Sequence, residues 1–126
     1  MTAPSSAAPL IVLAEDNPDL RSLLSQALAA SGYRIVQAET GPELAAAVHA
    51  LQIRGEDVGL IITDVRMPRA DHLAALREIG RAAPLILMTA YGDTWTRGDA
   101  AAVGATLLDK PLRISELRDA VKQALK

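Results

Sequence analysis

The sequence predicts a single α/β domain in which a parallel sheet lies between two layers of helices. Five short apolar runs alternate with segments of helical period, a pattern typical of successive βαβ units. The run over residues 58–63 is apolar at nearly every position and rich in β-branched side chains, which predicts a strand covered on both faces. It is therefore the candidate for the centre of the sheet. A chain of 126 residues, half of them hydrophobic, is enough for one such domain.

The first half of the chain is predicted to form strands over 10–14, 33–38 and 58–63, with a helix after each of the first two. Asn17 can cap the first helix with Pro18 at its first position, and Gly32 ends that helix. The pattern Thr40-Gly41-Pro42-Glu43 is a capping box for the second helix. The predicted inward residues are Leu20, Leu23, Leu24, Ala27 and Leu28 in the first helix and Leu44, Val48 and Leu51 in the second.

The second half repeats the alternation, with strands predicted over 85–88 and 106–108. Asp71 can cap a third helix, and Asp93 can cap an Ala-rich fourth helix that ends at Gly104. A fifth helix closes the chain. The predicted inward residues are Leu73, Leu76 and Ile79 in the third helix and Ile114, Leu117, Val121 and Ala124 or Leu125 in the fifth.

Composition excludes several classes of function. Thirteen Lys and Arg stand against fifteen Asp and Glu, with no basic stripe, so direct nucleic-acid binding by this chain is not expected. The absence of cysteine excludes disulfides and thiolate chemistry and is compatible with a reducing compartment. Residues 1–9 contain no Lys or Arg and precede an apolar run of only five residues, so they are neither a signal peptide nor a membrane span. We expect a flexible tail over 1–9, a domain over 10–126, and a cytoplasmic location without membrane contact.

Side chains suited to phosphoryl chemistry follow four of the predicted strands. Glu15 and Asp16 follow the first, Asp64 the third, Thr89 the fourth and Lys110 the fifth. Open α/β sheets bind ligands at the carboxyl ends of their strands, so these side chains are expected to converge. Neighbouring carboxylates repel one another unless a cation lies among them, and an all-oxygen set favours a hard cation such as Mg²⁺.

Each of these residues also has an ordinary structural interpretation. An isolated aspartate such as Asp64 is most often a loop or surface carboxylate, and an acidic pair before a helix can simply favour the helix dipole. A strand-terminal Thr89 is more often a turn residue, and Lys110 before a proline is more often solvated. Their joint placement after four different strands favours the chemical interpretation.

The chain resembles the receiver domains of two-component response regulators from Pro9 to Lys126. The resemblance rests on four motifs in order, namely Glu15-Asp16, Asp64-Val65-Arg66-Met67-Pro68, Met88-Thr89-Ala90 and Lys110-Pro111. It implies a flavodoxin-like (βα)5 fold with strand order 2-1-3-4-5. It further implies that Asp64 is the phosphoacceptor, and that Glu15, Asp16, Asp64 and the backbone carbonyl of Arg66 hold Mg²⁺. Thr89 and Lys110 would bind the phosphoryl oxygens, and the Lys110-Pro111 peptide bond would be cis.

The same resemblance implies a signalling module rather than an enzyme, with self-catalysed phosphotransfer and autodephosphorylation at most. A sensor histidine kinase or phosphotransfer protein would supply the phosphoryl group, and the change in shape would alter contacts with a downstream protein. The usual output face would correspond to residues 90–104 and the strand of Leu107, where Trp95 is a plausible contact and where two copies could form a homodimer through the fourth helix and fifth strand.

The sequence departs from the family pattern at two positions. Leu107 stands three positions before Lys110, where most receivers have an aromatic residue. His72 stands where a glycine is usual. Tyr91 or Trp95 could partly replace the missing ring. Leu107 therefore leaves open an alternative, a pseudo-receiver that mediates interactions and never turns over phosphate.

Two other classes fit less well. A Mg²⁺-dependent phosphohydrolase with an aspartyl phosphate usually has a second Asp two residues after the nucleophile, and this chain has Arg66 there. A flavin or nucleotide carrier would need a phosphate-binding loop after the first strand. The run Glu15-Asp16-Asn17-Pro18 would instead repel phosphate.

Overall fold

The computed structural model describes residues 8–64, 78–90 and 97–126, with only the backbone at 97 and 99. Five strands form one parallel sheet with the order β2-β1-β3-β4-β5, as the family resemblance implied. β3 occupies the centre, which confirms the prediction from its largely apolar run. The strands are β1 (Leu10–Ala14), β2 (Arg34–Ala38), β3 (Leu60–Asp64), β4 (Leu85–Thr89) and β5 (Ala105–Asp109).

The described part of the chain contains four helical segments of six or more residues. They are α1 (Pro18–Ala30), α2 (Gly41–Ile53), α3 (Arg97–Ala102) and α4 (Ile114–Ala124). The helix predicted from Asp71 lies outside the described residues over most of its length, as does Asp93, the predicted cap of the next helix. Of the apolar residues predicted for the former helix, Ile79 is described and is buried. None of the described helices has the length and apolar character needed to cross a bilayer.

The helices cover both faces of the sheet, so the predicted three layers are present. Alternate residues of β1 point to opposite faces: Ile11 and Leu13 join one apolar cluster, and Leu10, Val12 and Ala14 join the other. On the first face the strands pack against Leu24 and Leu28 of α1 and Leu117 and Val121 of α4. On the second face they pack against Leu44, Val48 and Leu51 of α2 and Ala100 of α3.

Three strands extend one residue further toward the site than the apolar runs suggest. β3, β4 and β5 end on Asp64, Thr89 and Asp109, and Asp64 is in register with Met88 of β4. Parallel pairing continues through these polar residues because it uses the backbone, whereas the sequence signal depends on apolar side chains. Asp64 is therefore held inside the sheet ladder instead of in the loop that follows.

Side-chain caps begin the first two helices, as predicted. Asn17 Oδ1 accepts hydrogen bonds from the amides two and three residues further on, at 2.9 and 3.1 Å. Thr40 Oγ1 accepts a hydrogen bond from the Glu43 amide at 3.2 Å. The return bond of the second cap differs from a standard capping box, because Glu43 Oε2 accepts from the amide of Glu39 at 2.7 Å, one residue before the cap.

The predicted inward stripe of α1 is wrong at Leu23, whose surface is 54% exposed. The buried residues of this helix are Leu24, Ser25 and Leu28. The buried face is thus rotated by about one residue, which brings the small polar Ser25 inside and leaves Leu23 outside. Apolar periodicity could not show this rotation because it counts Leu and omits Ser.

We expect Ser25→Ala to raise the free energy of unfolding by about 1 kcal/mol. Within the described part of the chain, Ser25 Oγ is buried and makes no hydrogen bond, so its desolvation is uncompensated. Alanine removes that hydroxyl and is the better helix former. Urea denaturation measures the change.

Ser22 on the same helix provides the control, because it is exposed and accepts a hydrogen bond from Gln26 Nε2 at 3.1 Å. Ser22→Ala should change the free energy of unfolding by less than about 0.5 kcal/mol. Equal effects of the two substitutions would contradict the prediction.

Candidate functional site

The carboxyl ends of four strands bring together the side chains that the sequence singled out. Glu15 follows β1 directly, and its amide donates a hydrogen bond to Ala38 O at 3.1 Å. Asp64 and Thr89 are the last residues of β3 and β4, and both are buried. Lys110 follows β5, and its amide donates to Thr89 O at 2.6 Å. The backbone thus fixes these residues along one edge of the sheet.

Three carboxylates lie at this edge within reach of a single ion. Glu15, Asp16 and Asp64 each offer an oxygen, and these oxygens lie within 4.8 Å of one another. Glu15 and Asp64 are buried whereas Asp16 is exposed, so the group opens to solvent on the Asp16 side. Carboxylate oxygens are the donors that hard divalent cations prefer, so the donor set suits Mg²⁺.

The Lys110 ammonium bridges two of these carboxylates. Its Nζ lies 2.6 Å from Glu15 Oε1 and 2.5 Å from Asp64 Oδ2. The Lys110 side chain is only 13% exposed, and the Lys110-Pro111 peptide bond is cis, as the resemblance implied. Neighbouring carboxylates predict a cation among them, and besides the expected Mg²⁺ the Lys110 ammonium lies between two of these acids. Breaking such a buried pair from one side leaves an uncompensated charge.

Burial and hydrogen bonding set the pKa values of Glu15 and Lys110. Burial raises the pKa of the Glu15 carboxyl above its ordinary value, although hydrogen bonds from Lys110 and the Asn17 amide oppose the shift. Burial alone would lower the pKa of Lys110, but the hydrogen bonds to Asp64 and Glu15 outweigh it, and the pKa is raised. Lys110 therefore stays a cation at neutral pH.

Two groups that sequence reasoning did not assign to the site hold Glu15 in place. The Asn17 amide donates to Glu15 Oε2 at 3.0 Å, in addition to the role of Asn17 as helix cap. Arg21 Nη1 donates to the backbone carbonyl of Glu15 at 2.8 Å. The sequence signal for the second contact was Arg21 itself, because a positively charged residue in the first turns of a helix is disfavoured by the helix macrodipole.

Several predicted residues cannot be compared with the structure. Arg66, His72, Tyr91 and Trp95 lie outside the described residues. Leu107, which stands at the usual aromatic position, is half-buried in β5 and packs against the apolar cluster on the α2 and α3 side of the sheet. It occupies that position as an ordinary packing residue.

Comparison with known proteins gives one consistent result. The sequence model of the family described as response regulator receiver domain matches residues 11–122. The chain is 32% identical over 123 residues to the C4-dicarboxylate transport transcriptional regulatory protein DctD of Rhizobium meliloti (strain 1021), covering 94% of this chain and 26% of DctD. It is 36% identical over 119 residues to the transcriptional regulatory protein PdtaR of Mycobacterium tuberculosis, covering 91% of this chain and 56% of PdtaR.

Solved structures agree with the sequence comparison. A response regulator receiver protein from Sinorhizobium medicae WSM419 superimposes with a TM-score of 0.71 at 26% identity, covering 96% of this chain and 97% of that one. The chain spans about a quarter of the length of DctD and a little over half that of PdtaR. With the fold, the acidic group and the family match in agreement, the chain belongs to the response regulator receiver domain family.

Proposed function

We propose that Asp64 accepts a phosphoryl group from a sensor histidine kinase or a phosphotransfer protein, and that this alters the protein's contacts with a downstream target. Receiver domains are signalling modules and not enzymes in the usual sense. The observation that carries the proposal is the acidic group itself, with carboxylate oxygens within 4.8 Å and Lys110 directly on Asp64. An aspartate placed there has both a site for a cation and a counter-charge beside it.

The proposed metal site uses the side chains of Glu15, Asp16 and Asp64, together with the predicted backbone carbonyl of Arg66. When bound, Mg²⁺ would offset the negative charge of the transferring phosphoryl group. The exposed Asp16 leaves a route by which an ion reaches the buried pair of carboxylates.

The proposed transfer is a displacement at phosphorus. A carboxylate oxygen of Asp64 forms a new bond to phosphorus while the bond from phosphorus to the partner's histidine nitrogen breaks, and that nitrogen keeps the electron pair. Lys110, already hydrogen-bonded to Asp64, would follow the charge onto the phosphoryl oxygens. Thr89 would donate its hydroxyl to the same oxygens. Water later cleaves the acyl phosphate and restores the carboxylate.

The proposed change of shape begins at Lys110. Phosphorylation adds nearly two negative charges beside an ammonium that now bridges Glu15 and Asp64. Moving that ammonium toward phosphate would loosen its contact with Glu15 and pull on the Lys110 amide, which is bonded to Thr89 O. The ends of β4 and β5 are therefore the first parts of the sheet to respond. Leu107 lies on β5 at the position where most receivers have an aromatic residue. We propose that a change in the packing of this aliphatic side chain takes the place of the aromatic ring movement usual in receivers.

We propose that residues 10–126 form the functional domain and that it acts in the cytoplasm through protein contacts, without binding nucleic acid itself. A homodimer through α3 and β5, the fourth helix and fifth strand of the prediction, remains part of this proposal. β5 is an edge strand of the sheet, a position at which a second chain can approach.

Intact-mass measurement after incubation with acetyl phosphate or phosphoramidate tests the proposal. With Mg²⁺ we expect a single adduct of about 80 Da, the mass of one HPO₃ group. Omitting Mg²⁺ should remove most of it. A protein that binds Mg²⁺ and remains folded but takes up no phosphate from either donor would instead be the pseudo-receiver.

A further inference from the structure

Arg21, the fourth residue of α1, directs its guanidinium back toward the acidic site. Its side chain is only 13% exposed, yet it lies in the first turns of a helix, where positive charge is disfavoured. Nη1 donates to Glu15 O at 2.8 Å, and Nη2 donates to Glu39 Oε1 at 3.3 Å. Through these two hydrogen bonds the planar guanidinium links the turn after β1 to the turn after β2.

The contact at Glu15 fixes more than one residue. A peptide unit is planar, so holding the Glu15 carbonyl also fixes the amide and the Cα of Asp16. The Glu15 amide on the other side is held by Ala38 O at 3.1 Å. The backbone on both sides of Glu15 is thereby constrained, and with it the direction in which the Glu15 and Asp16 side chains leave the chain.

The Glu39 contact holds the guanidinium itself. Glu39 is 64% exposed, but its own amide is bonded to Glu43 Oε2 at 2.7 Å, at the cap of α2. The fork geometry of arginine can serve both acceptors at once, which a lysine ammonium on a flexible stem does less well. The orientation of the Glu15 carbonyl therefore depends on an arginine at position 21 and not on positive charge alone.

We propose that Arg21 is a positioning residue for the Mg²⁺ and phosphoryl site, acting through the peptide that joins Glu15 to Asp16. This inference rests on the proposed function, because it concerns the same acidic group. Some residues do not bind a metal themselves but orient the residues that do. Removing such a residue typically weakens metal binding by about 10 to 100-fold.

Isothermal titration of the wild-type chain and two variants with Mg²⁺ tests the inference. We expect Arg21→Gln to weaken Mg²⁺ binding about tenfold. Arg21→Lys keeps the charge and one donor, and its affinity should fall between the two. If Arg21 acted through charge alone, Arg21→Gln would tighten Mg²⁺ binding, since a nearby positive charge is removed, and Arg21→Lys would leave it unchanged. The two explanations thus predict opposite signs.

Arg34 provides a matched control at the opposite end of the sheet. It also contacts one backbone carbonyl and one carboxylate, with Nε donating to Ala8 O at 2.9 Å and Nη1 to Glu56 Oε2 at 3.1 Å. Arg34→Gln should therefore lower the thermal stability comparably and leave Mg²⁺ affinity unchanged. Equal weakening in both Gln variants would overturn the positioning role, as would Arg21→Gln that binds as tightly as wild type.

The outcomes separate this inference from the proposed function. A wild-type chain that binds no Mg²⁺ would refute the metal site, whereas wild-type binding with unaffected Arg21 variants would refute only the role of Arg21. Should Arg21→Gln fail to fold, Arg21→Lys decides alone: weaker binding than wild type supports the inference, and equal binding overturns it.

Discussion

Asp64→Asn is expected to abolish uptake of phosphate from acetyl phosphate in the presence of Mg²⁺. The substitution replaces the attacking carboxylate oxygen with an amide of almost the same shape, which is neutral and a poor nucleophile. It also removes one of the three carboxylates that lie within 4.8 Å of one another. Intact-mass spectrometry of the treated protein gives the fraction labelled. The fold should persist, because the backbone of Asp64 is held by the sheet ladder opposite Met88.

Asp57→Asn is the matched control for this experiment. Asp57 is exposed and lies before β3, at the other end of the segment that ends in Asp64. Asp57→Asn also changes a carboxylate to an amide, but far from the acidic group. Labelling of this variant should therefore match that of the wild type. Labelling of Asp64→Asn at wild-type stoichiometry would remove Asp64 from the mechanism and place the phosphoryl group on another residue.

Lys110→Ala is expected to lower the free energy of unfolding by about 3 kcal/mol when no metal is present. The substitution leaves the Glu15 and Asp64 carboxylates buried without the ammonium that now lies 2.6 and 2.5 Å from them. Removing one partner of a buried ion pair costs more than the pair itself contributes, because the remaining charge keeps its desolvation penalty. Urea denaturation in the presence of a chelator measures this loss.

Mg²⁺ should recover much of the stability that Lys110→Ala loses, because a divalent ion can replace the missing positive charge. A ligand that binds only the folded state stabilises it in proportion to the logarithm of its concentration over Kd. The gain on adding Mg²⁺ should therefore be larger in the variant than in the wild type. Lys122→Ala, an exposed lysine in the last turn of α4, should change stability by less than about 0.5 kcal/mol. A loss in Lys110→Ala that is the same with and without Mg²⁺ would show that the ion does not occupy this place.

The architecture could be predicted because it depends on patterns repeated along the chain. The central strand and the caps at Asn17 and Thr40 are local features of composition and spacing, and the structure contains them. Leu23 was placed wrongly because a shift of one residue around a helix changes which side chains are buried without changing the period. The ends of β3, β4 and β5 were missed for a related reason, since polar residues can continue a strand.

The site could be predicted only as far as topology determines it. Parallel strands bring their carboxyl ends to one edge, and this places Glu15, Asp64 and Lys110 near one another. That the Lys110 ammonium bridges the two acids depends on side-chain conformation, which spacing does not report. Arg21 was missed because its contact depends on a long side chain folding back toward the start of α1.

Among the residues that the structure describes, the sheet divides the interior into two compartments that have no side chain in common. Substitutions on the buried faces of α1 and α4 should combine additively with those on the buried faces of α2 and α3, because the sheet lies between them and distant sites without shared partners rarely couple. Each of these pairs of helices can then be repacked while the opposite pair keeps its own packing. A change on one face of the sheet would thus leave the packing of the other face intact, and the row of charged groups along the strand ends is the boundary that both faces share.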